Sequence, residues 1–232
     1  MSTATESSNQ TAAVNAENWR GHEEQLNQMF SLYHETVNPL ISVYNALEGK
    51  FPVGVMNELR AAFSHMTQSL LEEDSGEVGR HLDRARRHVK RSAVDAYKYA
   101  AQAYSRVYGD FRESYRNVDL SSVDNFQFLP RLTRLKTRAG QLIHEAKMVE
   151  SGVHTDDEMY DAYEAAFNGY AELYECIVGA LDAVETVSLK AAEDEAAREK
   201  NRRTDRLIGI AGFLVGVAGV AVGIVGLMAQ GT

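Results

Sequence analysis

Apolar side chains recur at helical spacing along most of the first 189 residues, and β-branched runs are few. From residue 17 to about 47, Leu26, Met29, Phe30, Tyr33, Val37, Leu40, Ile41, Tyr44 and Leu47 mark one helical face, with a kink or break predicted at Pro39. Residues 49–54 (GKFPVG) read as a turn. A second helix, from about 55 to 72, carries its apolar face on Val55, Met56, Leu59, Ala62, Phe63, Met66 and Leu70, and Asp74-Ser75-Gly76 breaks it. A third, very long helix is predicted over about 77–115, with the stripe Leu82, Ala85, Val89, Ala96, Ala100, Ala103, Val107 and Phe111. Residues 117–130 form a loop whose Phe126, Phe128 and Leu129 are expected to tuck into the core.

The fourth helix covers about 130–150, with Pro130 in its first turn, and Ser151-Gly152 ends it. Thr155 and Glu158 make a capping-box pattern for the fifth. Its apolar positions are Met159, Tyr163, Phe167, Tyr170, Leu173, Tyr174, Ile177, Leu181 and Val184. Nothing then stops it, so it is expected to continue through the polar stretch 190–206 (KAAEDEAAREKNRRTDR), a solvated connector or oligomeric stalk. The fold class expected is all-α: an antiparallel helical bundle over residues 17–189 whose long last helix runs on into a single transmembrane helix. Residues 1–16 are small and polar and read as a disordered tail.

The pattern changes at residues 207–229 (LIGIAGFLVGVAGVAVGIVGLMA), which hold no charge and no proline. These 23 residues reach about 34 Å as a helix, enough for a hydrocarbon core of about 30 Å. Gly209, Gly212, Gly216, Gly219, Gly223 and Gly226 step by 3, 4, 3, 4, 3 and so share one stripe, a face on which helices approach closely in lipid. Arg198, Lys200, Arg202, Arg203 and Arg206 crowd the N-terminal side, and no charge follows. By the positive-inside rule the expected arrangement is a tail-anchored, single-pass protein of the cell inner membrane with its soluble domain in the cytoplasm. Membrane lipid and further copies of the chain are the partners this implies.

Composition adds two limits. Alanine, leucine, glutamate and arginine dominate, and a hydrophobic content of 44% suffices for a core. The net charge of −9 disfavours nucleic-acid binding over the whole surface but leaves room for a local basic patch. The lone Cys176, beside Tyr174, Ile177 and Val178, reads as a buried small hydrophobe.

That basic patch is residues 80–91, with six Arg/Lys against one Asp, a net of +5. On a helix His81, Arg84, His88, Arg91 and Asp95 share one polar face. Arg84, His88 and Arg91 are the candidate RNA contacts, with an acidic partner or anionic lipid as alternatives. The helix before it carries Arg60 and His65. Histidine titrates near neutrality and can move a proton to or from a ribose hydroxyl; arginine stays charged and can hold a phosphate. Neither role requires a metal, and no cofactor is implied. Positions i and i+5 lie about 140° apart on a helix, so Arg60 and His65 can converge only in a groove, such as one between subunits. No Gly-rich phosphate loop and no Cys/His spacing for zinc is present, and Asp156-Asp157-Glu158 and Glu193-Asp194-Glu195 read as helix-start and surface acids. The many tyrosines read as core filling with the hydroxyl at the edge.

The phrases NELRAAFSHM and HLDRARRHVKRSAVDAYK resemble the two central helices of HEPN domains, small all-helical domains of many prokaryotic defence and toxin RNases. The resemblance covers the helix pattern of residues 20–185 and is specific in residues 57–98. It implies metal-independent RNA cleavage by an Arg-x4-6-His motif facing its copy in a dimer. Arg60 would then hold the scissile phosphate, His65 transfer the proton, and Glu58 orient one of them. Ala61 stands where that family commonly has Asn, Asp or His. With its anchor the chain is similar to membrane-bound HEPN proteins that accompany RNA-targeting CRISPR systems. The implied function is an effector of defence or stress that cleaves RNA, perturbs the membrane as an oligomer, or both, with a defence-system protein as a further partner. The alternative is a non-catalytic, tail-anchored adaptor that binds a protein partner.

Overall fold

The computed structural model describes Trp19 and residues 21–199, and every regular element among them is helical. The helices are α1 (Glu23–Leu32), α2 (Asn38–Glu48), α3 (Val53–Leu71), α4 (Ser75–Ser114), α5 (Phe128–Ser151), α6 (Asp156–Val178) and α7 (residues 181–199). No helix among the described residues is long and apolar enough to cross a membrane. The tail 1–16, the end of the connector and the glycine-striped stretch 207–229 lie outside the described residues.

Pro39 neither breaks nor caps its helix. Tyr33–Val37 instead forms a π-helical turn, in which the Asn38 amide reaches back to the Tyr33 carbonyl. Proline has no N–H to give, and its ring crowds the carbonyl four residues before it; a widened turn relieves both. Gly49 ends α2 in the left-handed conformation (φ 66°) and returns its amide to Asn45. Asp74 does not break the chain so much as start α4, its Oδ1 accepting from the Glu77 amide at 3.0 Å.

Contacts group the chain into two compact units. The described part of the first comprises residues 19–114 and 129–179, and that of the second residues 115–128 and 180–199. The first unit is organised around α4. Forty residues at 1.5 Å make a rod of about 60 Å. Val78, Leu82, Ala85, Val89, Ala93, Ala96, Ala100 and Ala103 follow one stripe of it and are all buried. Toward its start this stripe packs with Leu26 and Met29 of α1 and Ala62 of α3. Further along it packs with Val37, Leu40 and Ile41, with Val55, and with Tyr163 and Ala166 of α6. The alanines let neighbouring helices come close, and the tyrosines of α4 and α6 fill what remains: Tyr97 donates to Glu164 at 2.9 Å, and Tyr163 donates to Glu150. The buried Ser92 hydroxyl donates to its own helix, at Val89 O.

The capping box of α6 forms as its sequence predicts: Thr155 Oγ1 accepts from the Glu158 amide, and Glu158 accepts from the Thr155 amide. Cys176 is buried on the same helix. Three expectations need correction. The fifth helix does stop, at Gly179-Ala180, before residues 181–199 resume. Phe126 is exposed, because Asp124, Asn125 and Phe126 all take positive φ and form the tip of a turn; Phe128 is buried. On α3 only half the expected apolar face is covered. Val55 and Ala62 are buried, whereas Met56, Phe63 and Leu70 are exposed.

In the second unit Asp119 caps a short 3-10 turn (Leu120–Ser122), accepting from the amide and hydroxyl of Ser121. Those hydrogen bonds hold its carboxyl below the usual range. Residues 190–199 are helical and exposed throughout.

Candidate active site

Two consecutive helices joined by a short link pack antiparallel, and α3 and α4 do so over most of the length of α3. That pairing sets the register of the polar side chains along its edge. His81 and His88 are two turns apart on α4, about 10.5 Å along its axis. His65 of α3 enters the space between them. Its ring stacks on His88 with centroids 5.4 Å apart and planes 19° from parallel, and lies 5.7 Å from His81 at 33°. Three imidazoles thus form a short pile, and Nδ1 of His65 is 3.5 Å from Nδ1 of His81.

Two of the three rings have a polar support. His88 Nδ1 donates to Glu58 Oε2 at 2.7 Å, two turns before His65 on α3. His65 Nδ1 donates to Gln68 Oε1 at 3.1 Å, and with the proton on Nδ1 its Nε2 can accept another. The His65 pKa lies below the ordinary histidine value. Burial is the largest cause, partly offset by the Gln68 hydrogen bond, and His88, His81 and Arg84 add positive charge nearby. His65 is therefore neutral at pH 7.

The basic run sorts into two groups. Arg80 pairs with Glu77, Arg86 and Arg87 share Asp83, and Lys90 pairs with Asp157. Arg84 and Arg91 have no ion pair or hydrogen bond among the described residues and are exposed. They stand two turns apart beside His81 and His88 on α4, so the unneutralised charge follows the imidazoles. Arg91 also borders a cavity of about 190 Å³ lined by Glu58, Asp95 and Lys98. In that cavity burial pushes the Asp95 carboxyl up, against the pull of Lys98.

Of the residues singled out from the sequence, the structure brings together Glu58, His65, His81, Arg84 and His88, with Arg91 one turn further on. Arg60 is not among them. It is exposed on another face of α3, as its spacing from His65 requires, and has no ion pair or hydrogen bond among the described residues. Glu58 orients His88 rather than Arg60 or His65. Gln68 was not singled out; its position three residues after His65, on the same face of the helix, is the signal that finds it. Among the described residues no group of three or more His, Cys, Asp or Glu side chains is arranged to hold a metal ion.

No protein-family model, curated protein or solved structure matches this chain.

Proposed function

We propose that the protein is a metal-independent endoribonuclease of the HEPN type, anchored by residues 207–229 at the cytoplasmic face of the inner membrane, and an effector of defence or stress. The observation that carries this reading is the stack of His65 on His88, with Glu58 behind His88 and two unpaired arginines alongside. Cleaving RNA without a metal needs a base for the ribose 2′-hydroxyl, an acid for the leaving 5′-oxygen, and a cation for the phosphate. His65, neutral at pH 7, is the base. His88 is the acid: with Nδ1 given to Glu58, its Nε2 is the nitrogen that meets a substrate. Arg84 takes the phosphate role that the family resemblance implies for Arg60.

The step is an in-line transesterification. Nε2 of His65 takes the 2′-hydroxyl proton as the 2′-oxygen bonds to phosphorus. The bond from phosphorus to the 5′-oxygen breaks, and His88 gives its proton to that oxygen. The products are a 2′,3′-cyclic phosphate and a 5′-hydroxyl end.

The test is to express the full chain, His65→Ala and His88→Ala, and to follow total RNA and its end groups. Fragments with cyclic phosphate ends in the wild type only, at equal membrane content and helicity, support the reading. Intact RNA in all three, together with no cleavage of RNA by the purified full chain, overturns it.

A further inference from the structure

Beside Lys98 a cavity of about 410 Å³ opens between α4, α5 and α6, within the range of about 300–1,000 Å³ that takes one small molecule. Neither His65 nor His88 lines it. Lys98, Gln102 and Ser105 of α4 border it over two turns, about 10.5 Å, as do Tyr163 and Tyr170 of α6. At one end the polar groups satisfy one another. Glu150 of α5 accepts from Lys98 Nζ at 2.6 Å on one oxygen and from the Tyr163 hydroxyl on the other. At the other end they do not. Tyr170 is 6% exposed, and its hydroxyl has no hydrogen bond among the described residues. The Ser105 hydroxyl has none either, whereas that of Ser92, on the same helix, donates to Val89 O.

We propose that this cavity binds a sugar phosphate, with the phosphate on Lys147 and the hydroxylated body against Gln102, Ser105 and Tyr170. Charge selects the phosphate. Lys98 and Glu150 neutralise each other. Lys147 lines the cavity without an ion pair among the described residues, and Lys136, also without one, stands 5.5 Å from the centre of the Tyr170 ring. Two uncompensated ammonium groups suit a phosphate monoester, which carries about −1.5 to −2 charges at pH 7, better than a carboxylate. The idle hydroxyls select the body. Buried polar groups are nearly always partnered, so hydroxyls left free on a cavity wall fit a ligand that brings its own donors and acceptors. A nucleobase suits the cavity less well. Lys98 lies over the Tyr163 ring at 4.8 Å and Lys136 over that of Tyr170, and both tyrosines are otherwise buried, so neither offers an open face for stacking.

The inference does not rest on the nuclease reading. The Lys98–Glu150 pair is the wall between this cavity and the smaller one beside Arg91, so the two sites share a helix but no free cation.

The test is calorimetric titration of the purified full chain in detergent with glucose 6-phosphate, glucose and adenosine 5′-phosphate. Glucose 6-phosphate should bind at one site per chain, at least tenfold more tightly than glucose, which lacks the charge. Lys147→Gln and Tyr170→Phe should each weaken it about tenfold. Both changes spare the fold, since Lys147 is exposed and phenylalanine keeps the Tyr170 ring. Arg84→Ala should leave the affinity unchanged. No heat from glucose 6-phosphate at millimolar concentration in helical protein overturns the inference. So does binding that survives Lys147→Gln and Tyr170→Phe but is lost in Arg84→Ala, which would put the anion at the histidines. Tighter binding of adenosine 5′-phosphate than of glucose 6-phosphate overturns the choice of a sugar body. RNA cleavage by the same preparations is scored separately, so either reading can fail alone.

Discussion

The two flanks of α3 differ in what satisfies them. One presents Glu58, His65 and Gln68, each in a polar contact, two of them with histidines of α4. The other presents Val53, Met56, Phe63 and Leu70 to solvent, with Arg60 in their midst. A single 19-residue helix thus has three sides: one buried in the core, one holding a group of titratable side chains, and one apolar and uncovered. The first side stabilises the fold. The other two exist at a cost, since burying imidazoles beside arginines and exposing phenylalanine both oppose folding. Such costs mark the places to look for function.

The largest effect expected separates the flanks directly. His65→Ala should lower the rate of RNA cleavage by the purified full chain about 10² to 10⁴-fold, the usual worth of a general base. Phe63→Glu, equally close in sequence, should leave the rate per chain unchanged. Equal losses in both would mean that the uncovered flank belongs to the site. Glu58→Gln comes next. It keeps a hydrogen-bonding group beside His88 but removes the carboxylate, so kcat should fall about tenfold or more with KM unchanged. A change in KM alone would make Glu58 a substrate contact instead of a positioning residue.

The arginines extend the same contrast to binding. Arg84→Ala and Arg91→Ala should each reduce the slope of log affinity against log salt by about 0.7 for single-stranded RNA. Arg60→Ala should leave that slope as it is, because Arg60 faces away from the histidines. Fluorescence anisotropy with a short RNA across a salt series reads all three.

How much of this could be read from the chain follows from what each feature depends on. The α4 stripe and the Thr155–Glu158 box are local, and spacing alone locates them. So is the separation of Arg60 from His65, which is a matter of helix angle. The meeting of His65 with His81 and His88 depends on the register of α3 against α4, which buried Val55 and Ala62 set and no local pattern displays. The π-turn before Pro39 is a compromise between one proline and the packing of two helices that continue across it. The end of α6 carries no signature either, because Gly179 keeps right-handed angles (φ −66°, ψ −16°). The uncovered flank escaped for a related reason. Periodicity counts Met56, Phe63 and Leu70 as core, and only the folded chain shows that no neighbour among the described residues covers them.

The smallest effect expected concerns stability and comes from the same contrast, since one flank titrates near neutrality and the other does not. His65 in the folded protein binds its proton less readily than free histidine at 6.5, mainly through burial. Between those two values the unfolded chain holds the extra proton, so unfolding takes up protons and acidification favours it. The stability His65 contributes is complete above about pH 6.5 and is lost as pH falls through 6.5 toward the lower folded value. The window is separate from that of the carboxylates. Glu150, held below its ordinary 4.5 by Lys98 and Tyr163, loses its contribution only in more acid solution. Thermal unfolding between pH 7.5 and 5.5 should therefore show a melting temperature that falls with pH, and His65→Gln should flatten that fall. Phe63→Gln, on the other flank, should shift the whole curve without changing its slope. A slope in His65→Gln as steep as in the wild type would place the proton uptake elsewhere and remove the thermodynamic sign that His65 is held toward its neutral form.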